Sequence, residues 1–235
     1  MARLPRLILP GQAHHLLQRG NNRQPIFLDD TDRKAYLDAL REASLLHGVR
    51  VHAYALRTDH VHLLLTPQAS SSLARAMQTL GRRYVGAFNR RHGRTGTLWE
   101  GRYRTTVVEA SGLFLEVMRY IEQHPFRGVT PAEPSDACPW TSALHHLGLR
   151  RDALISEHPA YWAQGNTPFE REARHRAELA TPLPSALLER IRRHVHSGWP
   201  LVSTAAAEAL AVELGRPMKP RPAGRRPISN VSVPN

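Results

Sequence analysis

The sequence predicts an α+β fold: an antiparallel sheet with helices on one face, of the split βαβ (ferredoxin- or RRM-like) type, followed by a small helical C-terminal region and a basic tail. Three observations predict it. Segments 13–19, 49–57, 60–66 and 103–109 have strand character. Helical periodicity fills the intervals after the first, third and fourth of them. The resulting order, β-α-β-β-α-β-α, suits split βαβ topology.

Each element has a local cause. Residues 13–19 (Ala-His-His-Leu-Leu-Gln-Arg) read as a strand closed by the turn formers Gly20, Asn21 and Asn22. Asp29, Asp30 or Thr31 can cap a helix over 31–47, with Ala35, Tyr36, Leu40, Ala43 and Leu46 as its stripe and Gly48 as its stop. Residues 49–57 alternate, with Val49, Val51, Ala53 and Ala55 expected on one face, and pair with 60–66 through a short turn at Thr58 and Asp59. A serine among 70–72 can cap a second helix over about 71–90, and 103–109 form the fourth strand. Ser111 can cap a third helix that stops at Pro125. Beyond it, the composition divides the chain into an N-terminal unit (1–128), a connector with a partly helical extension (129–183), a helical segment (184–215) and a tail (216–235). Helices are expected over 184–196 and 203–214. The tail, with Arg216, Lys219, Arg221, Arg225 and Arg226 among many prolines, is expected to be disordered.

Composition narrows the function. At 235 residues and 41% hydrophobic, the chain can bury a core. Cys138 is its single cysteine, which excludes a disulfide framework and a cysteine-based zinc site. The apolar runs are too short for a membrane span or a signal peptide, so a cytoplasmic protein with no membrane partner is expected. The basic residues are 30 Arg and 2 Lys, and the net charge is +12. Genome composition can explain much of the Arg:Lys ratio but not the net charge, which points to a polyanion, above all nucleic acid.

The run Asp59-His-Val-His-Leu-Leu-Leu-Thr66 carries the chemistry. On a strand, His60 and His62 point to the same face and Val61 to the other. Two neutral imidazoles on one rigid face are half of a divalent-metal site; an isolated pair reads equally as partly buried strand histidines. In the third helix, Leu113, Phe114, Val117, Met118 and Ile121 form the buried stripe, Tyr120 and His124 share one edge a turn apart, and Glu122 points away. Taken singly, Tyr120 reads as an amphipathic boundary residue and His124 as a histidine favoured by the helix C-terminus. Should their edge meet the His60/His62 face, three imidazoles and a phenol converge. Phosphoryl transfer gives that set a purpose: a metal polarises a phosphate oxygen, and Tyr120 attacks in line to form a phosphotyrosine.

Several stretches together resemble the single-tyrosine transposases of the His-hydrophobe-His (HUH) endonuclease superfamily, in the branch associated with repetitive extragenic palindromes (REP). They are Gln18-Arg-Gly-Asn-Asn-Arg23, Asp59-His-Val-His-Leu-Leu-Leu65, Gly93-Arg-Thr-Gly-Thr-Leu-Trp-Glu-Gly-Arg-Tyr-Arg104, Met118-Arg-Tyr-Ile-Glu-Gln-His-Pro125 and Pro139-Trp-Thr-Ser142. The resemblance spans about 14–145. It implies that 1–128 is the catalytic domain, that His60 and His62 ligate Mg²⁺ or Mn²⁺, and that Tyr120 is the nucleophile. It also implies a 5′-phosphotyrosine intermediate, single-stranded DNA hairpins as substrate, no nucleotide cofactor, and a monomer or homodimer. The family carries Asn or Gln one turn after the tyrosine as third ligand; here His124 holds that position, with Gln123 as a substitute. A third imidazole shifts preference from Mg²⁺ toward Mn²⁺ or softer ions.

The candidate DNA contacts fall in three groups. Arg19, Asn21, Asn22 and Arg23 follow the first strand. Arg82, Arg83, Arg90, Arg91, Arg94, Arg102 and Arg104 are interleaved with Tyr84, Phe88, Trp99 and Tyr103, so that arginines track phosphates and exposed aromatics, Trp99 among them, stack on bases. Arg221, Arg225 and Arg226 sit in the tail. His194 and His196 repeat the His-hydrophobe-His pattern but on a helix, where they lie about 200° apart and cannot share a metal. Tyr36 and Tyr103 lack a polar partner one turn later. Two rival readings remain at this point: a non-catalytic module on the same fold that binds single-stranded DNA or RNA hairpins, and a metal hydrolase of small phosphoesters.

Overall fold

The sheet assembles in the order β2-β3-β1-β4 from β1 (Ala13–Arg19), β2 (Val49–Leu56), β3 (His60–Pro67) and β4 (Arg104–Val108), all antiparallel. The computed structural model describes residues 6–124 and 139–220. Helices α1 (Asp30–Leu46) and α2 (Ser72–Arg91) cover one face, as the split βαβ order requires. Asp29 caps α1, its side chain accepting from Asp32 N–H. Ser71 does not cap α2 through its side chain, and α3 (Phe114–Glu122) starts at Leu113 rather than from a Ser111 cap.

Strand alternation sorts two cores. Leu16, Tyr54, Leu56, Val61, Leu63 and Leu65 meet α1 and α2. On the other face Ala13, Ala53, Ala55, Leu64 and Val108 meet α3, where Phe114, Val117, Met118 and Ile121 are at most 1% exposed. Burying each of these α3 side chains contributes about 1.5–3 kcal/mol, which offsets the weak propensity of a short helix. The expected single face of β2 is corrected. A bulge between Val51 and Ala53 inserts His52, so Val49 and Val51 face α1 and α2 while Ala53 and Ala55 face α3. The small side chains of those alanines leave room for α3.

The C-terminal region packs on that second face and along the sheet's margins. It contributes α4 (Ala143–His146), α5 (Pro159–Trp162), α6 (Pro168–Ala180), α7 (Ser185–Ser197) and α8 (Thr204–Leu214). A capping box between Thr167 and Glu170 starts α6, and α7 lies beside β4 and β1. Thr141 and Ile155 bridge to the outer strand β2, and Leu201 bridges to the opposite outer strand β4. Met218, inside the segment read as tail, is 4% exposed and packs with Leu7, Val107 and Ala207. Arg221, Arg225 and Arg226 lie outside the described residues.

Candidate active site

β3 presents His60 and His62 on the face opposite α1 and α2, as alternation predicts. Register then adds partners. His62 lies opposite Leu17 and His60 opposite Arg19 on β1, and His15 from the same face of β1 brings Nε2 to 2.8 Å from His62 Nδ1. When His62 donates from Nδ1 to His15, its Nε2 is the ring atom left to ligate. His60 donates Nδ1–H to Asp59 Oδ1 at 2.6 Å, which leaves the His60 Nε2 lone pair for the site. Burial lowers the pKa of His60; Asp59 pulls it back up, and Arg19 and Arg57 push it further down. A depressed imidazole is neutral near pH 7, the form that binds metal.

α3 crosses β2 and β3 with the Tyr120/His124 edge turned to this face. His124 Nε2 stands 2.8 Å from His60 Nε2. The His62 and His124 rings are 4.5 Å apart, and the Tyr120 ring lies 5.7 Å from His62 and 5.5 Å from His15. The ligand atoms of His60, His62 and His124 fall within 4.8 Å of one another. The 2.8 Å separation is close to the roughly 3 Å that two nitrogen ligands of one ion keep. Three imidazoles thus fit a divalent cation. The amide of Gln123, the substitute ligand, is turned elsewhere: its Nε2 donates to Leu179 O at 2.9 Å and Thr181 O at 2.8 Å. Position 123 lies about 60° round the helix from Tyr120 on one side and position 124 about 40° on the other, so the two point to different neighbours.

These residues line a cleft of about 390 Å³ together with Leu17, Arg19, Arg23, Asp59, Arg192, Val195 and His196. Arg19 Nε is buried without a hydrogen-bond partner, a donor that an anionic oxygen can satisfy. Asn22 and Arg23 hold φ of 51° and 57° in the single 3₁₀ turn Asn21–Arg23, a strained conformation at the cleft's rim. Gly20 opens that turn because a Cβ there would meet Gln24 O at 2.3 Å. His194 and His196 part company on α7, and His196 is not idle. His194 turns to Trp199 O at 3.1 Å, while His196 lines the cleft with Arg192, one turn earlier on α7. Burial depresses the His196 pKa, and Arg104, Arg19 and Arg192 reinforce the shift. His15, Asp59, Arg192 and His196 escaped the sequence reading. Asp59 was adjacent to the motif, whereas the other three depend on strand register and helix docking.

The remaining candidate contacts separate by location. Arg82, Arg83, Arg90 and Arg91 lie on α2, across the sheet from the cleft. The Arg91 guanidinium binds Asp29 at 2.5 and 2.8 Å and Asp32 at 2.6 Å, joining the end of α2 to the start of α1. Arg83 pairs with Glu42 on the surface, where exchange for another anion costs little. Arg94 donates to Gln24 at 3.0 Å. Tyr84, Phe88 and Tyr103 are buried at 1%, 2% and 8% exposure, so they build core rather than stack on bases. Burial raises the phenol pKa of Tyr36 and of Tyr103, against activation of either. Trp99 is half-buried, 6.1 Å from the Tyr84 ring, and pairs through its backbone with Gly20. Asn21 N–H donates to Leu98 O at 2.9 Å. The 93–101 loop is thereby fastened to the 20–23 turn. Arg102 and Arg104 border a smaller opening shared with Arg19 and His196.

Among protein families, the one described as transposase, IS200-like, matches residues 11–124. Among solved structures, the chain is similar to a REP-associated tyrosine transposase bound to a REP hairpin, at 13% identity over 67% of this chain and 99% of that one, with a TM-score of 0.49. It is also similar to a candidate transposase from Deinococcus radiodurans R1, at 24% identity over 52% of this chain and 97% of that one, with a TM-score of 0.36. No curated protein matches. No helix among the described residues is long and apolar enough to cross a membrane.

Proposed function

From the match of residues 11–124 to the IS200-like transposase family, we propose that this chain nicks and rejoins single-stranded DNA beside a hairpin through a covalent bond to Tyr120. The observation that carries the reading is the convergence of His60, His62 and His124 with Tyr120 in one arginine-lined cleft. His60, His62 and His124 would hold a divalent ion, Mn²⁺ or Mg²⁺, which would supply Lewis-acid polarisation of a nonbridging phosphate oxygen. Arg19, Arg23 and Arg192 offset phosphate charge and hold the strand in place. Tyr120 Oη attacks phosphorus in line. The bond to the 3′ oxygen breaks, the 5′-phosphate stays on Tyr120, and the leaving oxygen departs as a 3′-hydroxyl after taking a proton. Attack by a second 3′-hydroxyl reverses the step and frees the tyrosine. The phosphodiester energy is kept in the tyrosyl ester, so no nucleotide cofactor is needed. The hairpin preference rests on the sequence resemblance.

The test is a denaturing gel of the full chain with labelled single-stranded hairpins from the DNA flanking its gene, with Mn²⁺ or Mg²⁺. A covalent species is expected in wild type and is absent in Tyr120→Phe and in the double variant His60→Ala, His62→Ala, while Tyr120→Phe still binds the hairpin. Cleavage that survives either change refutes the mechanism. Tight binding with no adduct under either metal identifies a non-catalytic hairpin-binding module, a reading that the 2% exposure of Tyr120 favours.

A further inference from the structure

Glu122 lies between Tyr120 and His124 in sequence but on another side of α3, and it is 0% exposed. Both carboxylate oxygens are engaged. Oε1 accepts from Ser142 Oγ at 2.6 Å and from His146 Nδ1 at 2.7 Å, and Oε2 accepts from His175 Nε2 at 2.6 Å. His146 and His175 are themselves 1% and 0% exposed. A carboxylate this deep is strongly unfavourable without partners, and three donors, two of them imidazoles, offset that penalty. The distances describe direct hydrogen bonds.

The same turn of α3 is fastened at two more points. Arg119 Nη2 donates to Thr181 O at 2.9 Å, and Gln123 binds Leu179 O and Thr181 O. The helix circumference is therefore partitioned: 119, 122 and 123 grip the segment 142–181, and 120 and 124 face the imidazole cluster. A group on the surface of a helix lies about 5 Å from its axis, so a rotation of about 10° displaces it by about 1 Å. A displacement of that size at a reacting group costs about 10²-fold in rate.

We propose that Glu122, with Ser142, His146 and His175, is a positioning cluster that sets the rotation of the last turn of α3 and so the placement of Tyr120 and His124 against His60 and His62. Its bearing on catalysis rests on the function proposed above; its bearing on geometry does not. The extension beyond 138 is then part of the catalytic unit rather than an accessory to it.

The test compares full-length wild type with Glu122→Gln and with His175→Ala, which keeps two of the three bonds and carries the test should the first variant not fold. Two readouts are taken on folded protein: the imidazole proton and carbon NMR signals of His62 and His124, and the rate of the Tyr120 adduct at saturating hairpin against hairpin Kd. The ring signals are expected to move. The adduct rate is expected to fall about 10²-fold with Kd within about twofold, a split that simple loss of folded protein does not produce. Unmoved ring signals with an unchanged adduct rate overturn the inference. Shifted signals in the variants, with no adduct from any form including wild type, uphold the cluster and remove the proposed chemistry.

Discussion

Arg192 and Arg91 should answer differently to the same substitution, because one faces the cleft and the other is spent on two carboxylates. Arg192 lines the cleft, and its ion pair to Glu189 at 2.8 Å is exposed on both sides. Such a pair is worth little, so Arg192→Ala should leave the unfolding midpoint almost unmoved. If Arg192 neutralises one phosphate of a single strand, its loss lowers the slope of log K against log salt by about 0.7. Raising salt fourfold then weakens wild type about 2.6-fold more than the variant. Arg91→Ala is the control. Its guanidinium is tied to Asp29 and Asp32, so hairpin affinity and salt slope should stay at wild-type values while the melting temperature falls. Fluorescence anisotropy of a labelled hairpin across a salt series measures both. A wild-type slope in Arg192→Ala, or a reduced slope in Arg91→Ala, refutes the division of the arginines by location.

Stability should fall as pH drops from 7 toward 4. Burial lowers His14 and His52 to about 4 from 6.5. His14 already accepts from Leu9 N–H at Nε2 and sits against Gln12 O at Nδ1, so it has no place for a second proton. Across that window the unfolded chain binds protons that the folded chain refuses, which removes up to about 3 kcal/mol per histidine; a urea midpoint that is flat between pH 7 and 5 contradicts this. Phe114→Ala deletes a 0%-exposed ring stacked on His158 at 3.8 Å and should cost about 3–5 kcal/mol in urea unfolding, with a loss under about 1 kcal/mol showing that the site collapses freely. Gly20→Ala drives a Cβ into Gln24 O and should both lower the melting temperature and weaken hairpin binding through the displaced Arg23; unchanged binding in folded variant would detach the 21–23 turn from recognition.

The convergence of the candidate residues was legible because it rests on local periodicities. Period two put His60 and His62 on one face, and the helical repeat put Tyr120 beside His124, with Gln123 left open as an alternative. The Asp29 cap was legible for the same reason. Features set by distant partners were not. His15 joins through the β1–β3 register, and Arg192 and His196 through the docking of α7. Glu122 pointed away from the cleft as expected, but its partners are 20, 24 and 53 residues away, and no short-range pattern announces them. Arg91 counted as free charge only until Asp29 and Asp32 claimed it. The bulge at His52 shows how one inserted residue exchanges the two faces of a strand that otherwise alternates cleanly.

Both outer strands are occupied by later chain: Thr141 and Ile155 on β2, and Leu201 on β4. Unpaired strand margins are templates for joining other molecules, and small sheets commonly protect them with charge, proline or a covering segment. Here the covering segment comes from 141–201. A fragment ending near 124 would keep α3 over the sheet but bare both hydrogen-bonding margins. Its fate in concentrated solution would be strand-to-strand self-association, so the late part of the chain doubles as the sheet's guard against polymerisation.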